Sequence, residues 1–150
     1  MRQEFLILAE RAEAVNGKIF IHGGAVERHF SQQFPTILNA DVAASFLVGW
    51  GETNQTHVLE IRMVDEDGND VLKIEAEMTP GRPPSAKPGQ DLRQLISFKG
   101  PFPIQKAGGY KVEATIDGEL QDSPFRFWVE QMEQPGAPPS SNRQQRRHGG

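Results

Sequence analysis

Three aspartates lie close together in the segment Asp65-Glu-Asp67-Gly68-Asn-Asp70. Hard cations such as Ca²⁺ prefer carboxylate oxygens, so this spacing makes calcium binding one interpretation. An EF-hand loop needs twelve residues ending in a bidentate glutamate, and here the twelfth position is Ala76. Asp and Gly are also the residues that the backbone angles of a tight β-turn require. We favour the turn and assign no metal site, but the sequence leaves open whether Asp65, Asp67 and Asp70 bind calcium.

His22, His29 and His57 are the other candidate metal ligands. They are dispersed, and none has a histidine partner at i+2 or i+4, so a metal centre would need distant loops to converge. The chain has no cysteine, which excludes thiolate zinc sites, iron–sulfur clusters, disulfides and cysteine nucleophiles. No nucleophile, base and metal set is clustered in the sequence. We therefore predict no catalytic residue, no cofactor and no metal site.

Two further features are of the kind that binds ligands. Trp50 and Trp128 are either a stacking pair for a sugar or nucleotide, or core side chains between two sheets, and we favour the core. The segment Arg82–Pro88 overlaps a Pro80-x-x-Pro83 motif, which suits docking into an aromatic groove of a partner because polyproline II is preformed. The alternative, which we favour, is a stiff loop that crosses between sheets.

Short apolar runs separated by turn residues predict the elements that position these side chains. The predicted strands cover residues 5–9, 19–22, 42–50, 56–64, 72–78, 92–98, 107–116 and 123–129. Residues 25–40 are expected to be an extended crossing with at most a short turn of helix, since Pro35 disfavours helix before it. Only the first fourteen residues have a spacing of apolar residues that is also compatible with the 3.6-residue period of a helix. The chain is therefore predicted to be all-β, an antiparallel β-sandwich of about eight strands.

The strand that starts at Gly108-Gly-Tyr110-Lys-Val112 refines this prediction. It resembles the tyrosine corner of immunoglobulin-like domains, in which a tyrosine hydroxyl bonds to upstream backbone. The resemblance implies an immunoglobulin-like sandwich. The chain departs from that pattern in having no cysteine pair, with Val112 at the second cysteine position and Lys106 where an aspartate is usual.

A second resemblance rests on turn glycines and core positions spread along the chain. These are Ile7-Leu-Ala-Glu10, Gly17-Lys18, Gly23-Gly24, Asp65-Glu-Asp-Gly68 and Gly109-Tyr110. Over residues 3–130 the chain resembles an uncharacterised bacterial family of small β-sandwich proteins, catalogued as a domain of unknown function. The resemblance implies a fold and brings no catalytic residues.

Composition divides the chain into a predicted domain, residues 1–130, and a predicted disordered tail, residues 131–150, rich in Pro, Gly, Ser, Gln and Arg. The tail arginines outweigh its one acidic residue, Glu133, so the domain is more acidic than the chain, whose net charge is −4. An acidic domain is a poor partner for nucleic acid or anionic lipid. Without a recognisable signal peptide or membrane-spanning run, the chain is expected in the cytoplasm.

The sequence favours a non-enzymatic protein-binding or assembly module. Exposed sheet edges, the proline-rich loop and the strand-connecting loops are surfaces that such a module uses. The alternative is a small metal-dependent or hydrolytic enzyme, because active sites are grafted onto many folds. We expect another protein as the partner, and neither nucleic acid nor a membrane; the sequence does not specify an oligomeric state.

Overall fold

Strands form nearly all the regular structure in the computed structural model, which describes residues 1–133. The twelve strands are β1 (Arg2–Val15), β2 (Lys18–Gly24), β3 (Arg28–Ser31), β4 (Thr36–Leu38), β5 (Asp41–Val48), β6 (His57–Asp65), β7 (Asp70–Met78), β8 (Leu92–Lys99), β9 (Phe102–Ile104), β10 (Gly108–Ile116), β11 (Glu119–Leu120) and β12 (Phe125–Gln131). One 3₁₀ turn, Trp50–Glu52, is the only helical element within the described range.

The first sheet is antiparallel, in the order β2-β1-β5-β8. β5 lies at its centre, and residues 42–46 are all buried, as expected for a nearly continuous apolar run covered on both faces. The sheet is strongly curled, and the curl brings the end of β1 close to β8 although β5 separates these strands. The Ala14 amide of β1 donates to Ser97 Oγ of β8 at 3.3 Å. The curl encloses a small cluster of its own, built on Ala9, Ala12 and Ala43.

The second sheet has the order β3-β12-β10-β6-β7, with β11 beside β10. The predicted hairpins β1–β2 and β6–β7 and the antiparallel pair β10–β12 are all present. At one edge β3 runs parallel to β12, which makes this sheet mixed. The outer face carries charged side chains, whereas the inner face packs into the core.

One core joins the two sheets. Its buried side chains come from both, among them Leu8 and Phe46 of the first sheet and Ile61, Val112 and Phe127 of the second. The two-stranded sheet β4–β9 adds Leu38, Phe102 and Ile104 to the same cluster. The all-β class is thus confirmed. The immunoglobulin-like sandwich stays a prediction, since the sheets are curled and one of them is mixed.

The structure changes the predicted elements in four places. The predicted strand at residues 5–9 lies within a longer one, β1, and the helix that the pattern of the first fourteen residues left open does not form. Residues 25–40 are extended, as predicted, and contain β3 and β4 but no helix. Within residues 1–133 the strands number twelve instead of about eight, because several are too short to show a pattern. β12 extends to Gln131, one residue past the predicted domain, and residues 134–150 of the predicted tail lie outside the described residues.

Candidate functional site

The loop between β6 and β7 is built around the Asp65 carboxylate. Its Oδ1 accepts hydrogen bonds from the amides of Asp67 and Asn69, each at 2.9 Å, and Gly68 takes a φ of +80°. The Asn69 amide contributes most to a lowered pKa of Asp65, with burial opposing and the Asp67 amide and Lys106 helping. Asp65 therefore shapes the turn, as such side chains do in tight β-turns.

The other two aspartates of the loop have different partners. Asp67 Oδ2 accepts from Lys106 Nζ at 2.6 Å, and Asp70 Oδ1 accepts from Arg62 Nη2 at 2.6 Å. The structure therefore does not bring Asp65, Asp67 and Asp70 together as a ligand set. Within residues 1–133, no group of three or more histidine, aspartate or glutamate side chains is arranged to hold a metal ion.

Asp67→Asn is expected to change the free energy of unfolding by less than about 0.5 kcal/mol, because its exposed ion pair with Lys106 contributes little. Urea denaturation of the variant and the wild type, with and without 2 mM CaCl₂, measures this. We expect calcium to leave both midpoints unchanged. A calcium-dependent rise in the wild type that Asp67→Asn removes would establish a calcium site instead.

The three histidines within residues 1–133 lie on three different strands. His22 is exposed on β2, and His29 lies on β3, where burial lowers its pKa. His57 begins β6 and is buried, with Nδ1 2.7 Å from Asp117 Oδ2 and Nε2 2.8 Å from the Glu52 carbonyl oxygen. A carbonyl only accepts, so Nε2 donates to it. With both ring nitrogens engaged, His57 ties loops together and is not free to act as a base.

The proline-rich segment packs against the 3₁₀ turn. The guanidinium of Arg82 lies 3.9 Å from the centre of the Trp50 ring, and its Nη2 donates to the Trp50 carbonyl at 2.6 Å. The carbonyl of Pro80, which is buried, accepts from the Asn54 amide. The segment connects β7 in the second sheet to β8 in the first, which agrees with the interpretation as a crossing loop. Trp50 is covered by this loop and does not pair with Trp128.

The core prediction is wrong for Trp128, and Trp50, which is half-buried, belongs to neither core cluster. Trp128 lies on the outer face of the second sheet and is 46% exposed, while its neighbours Phe127 and Val129 point into the core. Strand alternation explains this, since successive side chains of β12 alternate between the faces. On the same face of the adjacent strand β3, Phe30 is also exposed.

Gly109 allows the indole of Trp128 to lie against the sheet. Gly109 is the cross-strand partner of Trp128, and a Cβ added to it would stand 2.8 Å from Cζ3 of the ring. The same Cβ would stand 3.0 Å from Glu66 Oε1, which accepts the Gly109 amide. The sheet surface under the ring is therefore bare backbone, closed on one side by the Glu66 carboxylate. Two sequence features are consistent with this arrangement: the Gly108-Gly109 pair and the alternation of Trp128 with Phe127 and Val129.

These side chains border an open cleft of about 240 Å³, which we call the Trp128 cleft. Its floor and wall are Gly109 and Trp128, with Glu66 at one end and Lys111 and Arg126 at the other. Lys111 and Arg126 are directly opposite each other in the β10–β12 ladder. The cleft thus combines an exposed aromatic ring with an acidic side chain at one end and two basic side chains at the other.

Tyr110 anchors the inner side of the same strand. Its hydroxyl donates to the backbone carbonyl of Lys106, which is the contact that the resemblance to a tyrosine corner predicted. The ring is buried and stacks on Phe127 with ring centres 5.5 Å apart. Burial raises the pKa of the hydroxyl, so it remains a donor at neutral pH. Tyr110 thereby fixes the start of β10 beneath the Trp128 cleft.

Tyr110→Phe is expected to lower the free energy of unfolding by about 1–2 kcal/mol, because the Lys106 carbonyl loses its donor. Chemical denaturation compares the variant with Phe125→Tyr, which adds a hydroxyl to a half-buried ring of the same sheet. An unchanged midpoint for Tyr110→Phe would mean that the hydroxyl contributes nothing to stability.

No helix within residues 1–133 is long and apolar enough to cross a membrane. No curated protein matches the sequence. A family model does match, and it covers nearly the same range as the resemblance found from the turn glycines and core positions. Because the match extends over residues 4–127, the chain belongs to DUF6941, a family of unknown function.

Proposed function

We propose that the chain is a non-enzymatic protein-binding module whose binding surface is the Trp128 cleft. The observation that carries the proposal is the exposed indole of Trp128, seated on the bare backbone of Gly109. Tryptophan and arginine are the residue types that most often dominate the binding energy of protein interfaces. Trp128 and Arg126 stand two residues apart on the same face of β12, and Phe30 is a second exposed aromatic residue on this face, on β3.

The alternative, a hydrolytic or metal-dependent enzyme, finds less support. A general base must reach the proton that it removes. The histidine–carboxylate pair of the described residues is His57 and Asp117. The His57 ring is buried, and its second nitrogen already donates to a carbonyl. The acidic residues nearest the cleft, Asp65 and Glu66, accept backbone amides. We therefore keep the binding function as the proposal.

We also propose a more specific fold type and a cellular location for this module. We propose an immunoglobulin-like sandwich, supported by the core shared between both sheets and by the Tyr110 corner. A cytoplasmic location is proposed from the lack of cysteine, which suits a reducing compartment, and a bacterial source is proposed from the resemblance in turn glycines and core positions.

Site-specific photocrosslinking in the native host tests the binding function. A photoreactive benzoylphenylalanine in place of Trp128 is expected to give a defined crosslinked species, identified by mass spectrometry. The matched control is the same residue in place of Phe20, which is 53% exposed on β2 of the other sheet. Equal crosslinking from both positions, or none from position 128, would contradict a protein-binding cleft at Trp128.

A further inference from the structure

We infer that the Trp128 cleft takes a short acidic segment of its protein partner, with an apolar side chain on the Trp128 indole and a carboxylate between Lys111 and Arg126. This inference rests on the proposed binding function and adds the chemistry of the partner.

The first argument is the like-charge pair at one end of the cleft. Lys111 and Arg126 are directly opposite in the β10–β12 ladder, so their side chains leave the same face of the sheet at close range. Like charges in this position are unfavourable, whereas opposite charges stabilise. A carboxylate from a partner that lies between them would convert the repulsion into two attractions.

The second argument is that this cation pair is only partly neutralised by the chain itself. Lys111 Nζ lies 3.3 Å from Glu113 Oε2, but Arg126 has no carboxylate within 4.0 Å in the described range. By contrast Arg62, on the same face, lies within 4.0 Å of carboxylates of three residues, Glu60, Asp70 and Glu113. The ion-pair network of this face thus ends at Lys111 and does not include Arg126, whose exposed guanidinium offers a bidentate site for a carboxylate.

The third argument sets the polarity of the bound segment. Glu66 closes the opposite end of the cleft, where its Oε1 is already occupied by the Gly109 amide. Its negative charge disfavours an acidic group at that end and leaves the Lys111 and Arg126 end for the carboxylate. The indole between the two ends presents an apolar surface that suits an aliphatic or aromatic side chain.

Selection of random twelve-residue peptides displayed on phage, with the full chain as bait, tests the inference. The enriched peptides are expected to carry Asp or Glu within about three residues of an aliphatic or aromatic residue. A synthetic peptide of that consensus is then titrated against the protein in 0.05 M and 0.5 M NaCl. Affinity is expected to fall at high salt, since exposed charge pairs are screened.

Two variants and two matched controls decide the result. Trp128→Ala should weaken the consensus peptide about tenfold or more, and Arg126→Glu should do the same and redirect the selection toward basic peptides. Phe20→Ala and Arg11→Glu remove an exposed aromatic and reverse an exposed arginine on the first sheet, and they should leave affinity unchanged. Circular dichroism verifies that each variant is folded.

The outcomes separate this inference from the proposed function. Selected peptides whose binding depends on Trp128 but which show no preference for acidic residues, or no response to Arg126→Glu, would contradict the inference that the bound segment is acidic. Such peptides would still support the Trp128 cleft as a binding surface. Peptides that bind equally to Trp128→Ala, or a selection that enriches nothing, would overturn the inference. The photocrosslinking result then decides whether a protein partner uses the cleft at all.

Discussion

Gly100→Ala is expected to lower the free energy of unfolding by about 3 kcal/mol, because inserting a side chain here forces the backbone apart. A Cβ on Gly100 would stand 2.3 Å from the carbonyl oxygen of Ala40, a backbone atom that has no rotamer to change. The Gly100 amide donates to that same carbonyl at 3.1 Å and to Asp41 Oδ1 at 3.2 Å. Any shift that relieves the clash therefore weakens both hydrogen bonds.

The loss of stability extends beyond the Gly100–Ala40 contact, because the Asp41 carboxylate links β5 to β1 and to the end of β8. Its Oδ2 also accepts the Ala12 amide at 2.8 Å and Lys99 Nζ at 3.2 Å. Burial would raise the pKa of Asp41, but these hydrogen bonds outweigh it and lower the pKa. Asp41 thus holds the curl of the first sheet.

Urea denaturation measures the effect, with Gly81→Ala as the matched control, since a Cβ at Gly81 meets nothing within 4 Å. The control should change stability by less than about 0.5 kcal/mol. If Gly100→Ala lowers the free energy of unfolding by less than about 1 kcal/mol, the backbone between β8 and β9 accommodates a methyl group and the prediction is wrong.

Hairpins were predictable because their signals are local. Asp117 and Gly118 both take positive φ, as the Asp-Gly pair predicted, and the alternation in β6 and β7 fixes which side chains face the core. The parallel pairing of β3 with β12 could not be predicted, since its partners are about a hundred residues apart and β3 has only four residues. No local pattern encodes such a pair.

The candidate site was harder to predict than the fold. Tyr110 was found because a corner needs a fixed spacing to its own upstream backbone. Trp128 was misassigned to the core because tryptophans usually bury most of their surface, although the alternation with Phe127 and Val129 already placed it on the other face. The opposition of Lys111 and Arg126 depends on the register of β12 on β10, which is shifted by two residues from the register of the β10–β11 turn, and the sequence does not show this shift.

The stability of wild-type protein is expected to fall as pH rises through the folded-state pKa of His57. The hydrogen bond to the Glu52 carbonyl, followed by that to Asp117, raises this pKa above the ordinary value of 6.5. A raised pKa means that the folded state holds the proton more tightly than the unfolded state. The contribution is therefore complete below pH 6.5, where both states are protonated, and is lost with increasing pH.

The geometry explains why the proton matters. With Nε2–H donated to a carbonyl, a neutral ring would face the Asp117 carboxylate with the lone pair of Nδ1. Protonation turns that contact into a charge-assisted hydrogen bond, a type that contributes about 1.5–3 kcal/mol. The other charged groups near the ring, the Glu52 carboxylate and the Met1 amino group, pair with each other.

His57→Gln removes the titrating group while keeping one hydrogen-bonding side chain. Urea denaturation between pH 5.5 and 8.5 should show the variant less stable than wild type by about 2 kcal/mol at pH 5.5, with the difference shrinking toward pH 8.5. His22→Gln, at an exposed position on β2, is the control and should retain the wild-type pH dependence. A gap between His57→Gln and wild type that stays constant or widens with pH would mean that His57 is neutral in the folded state.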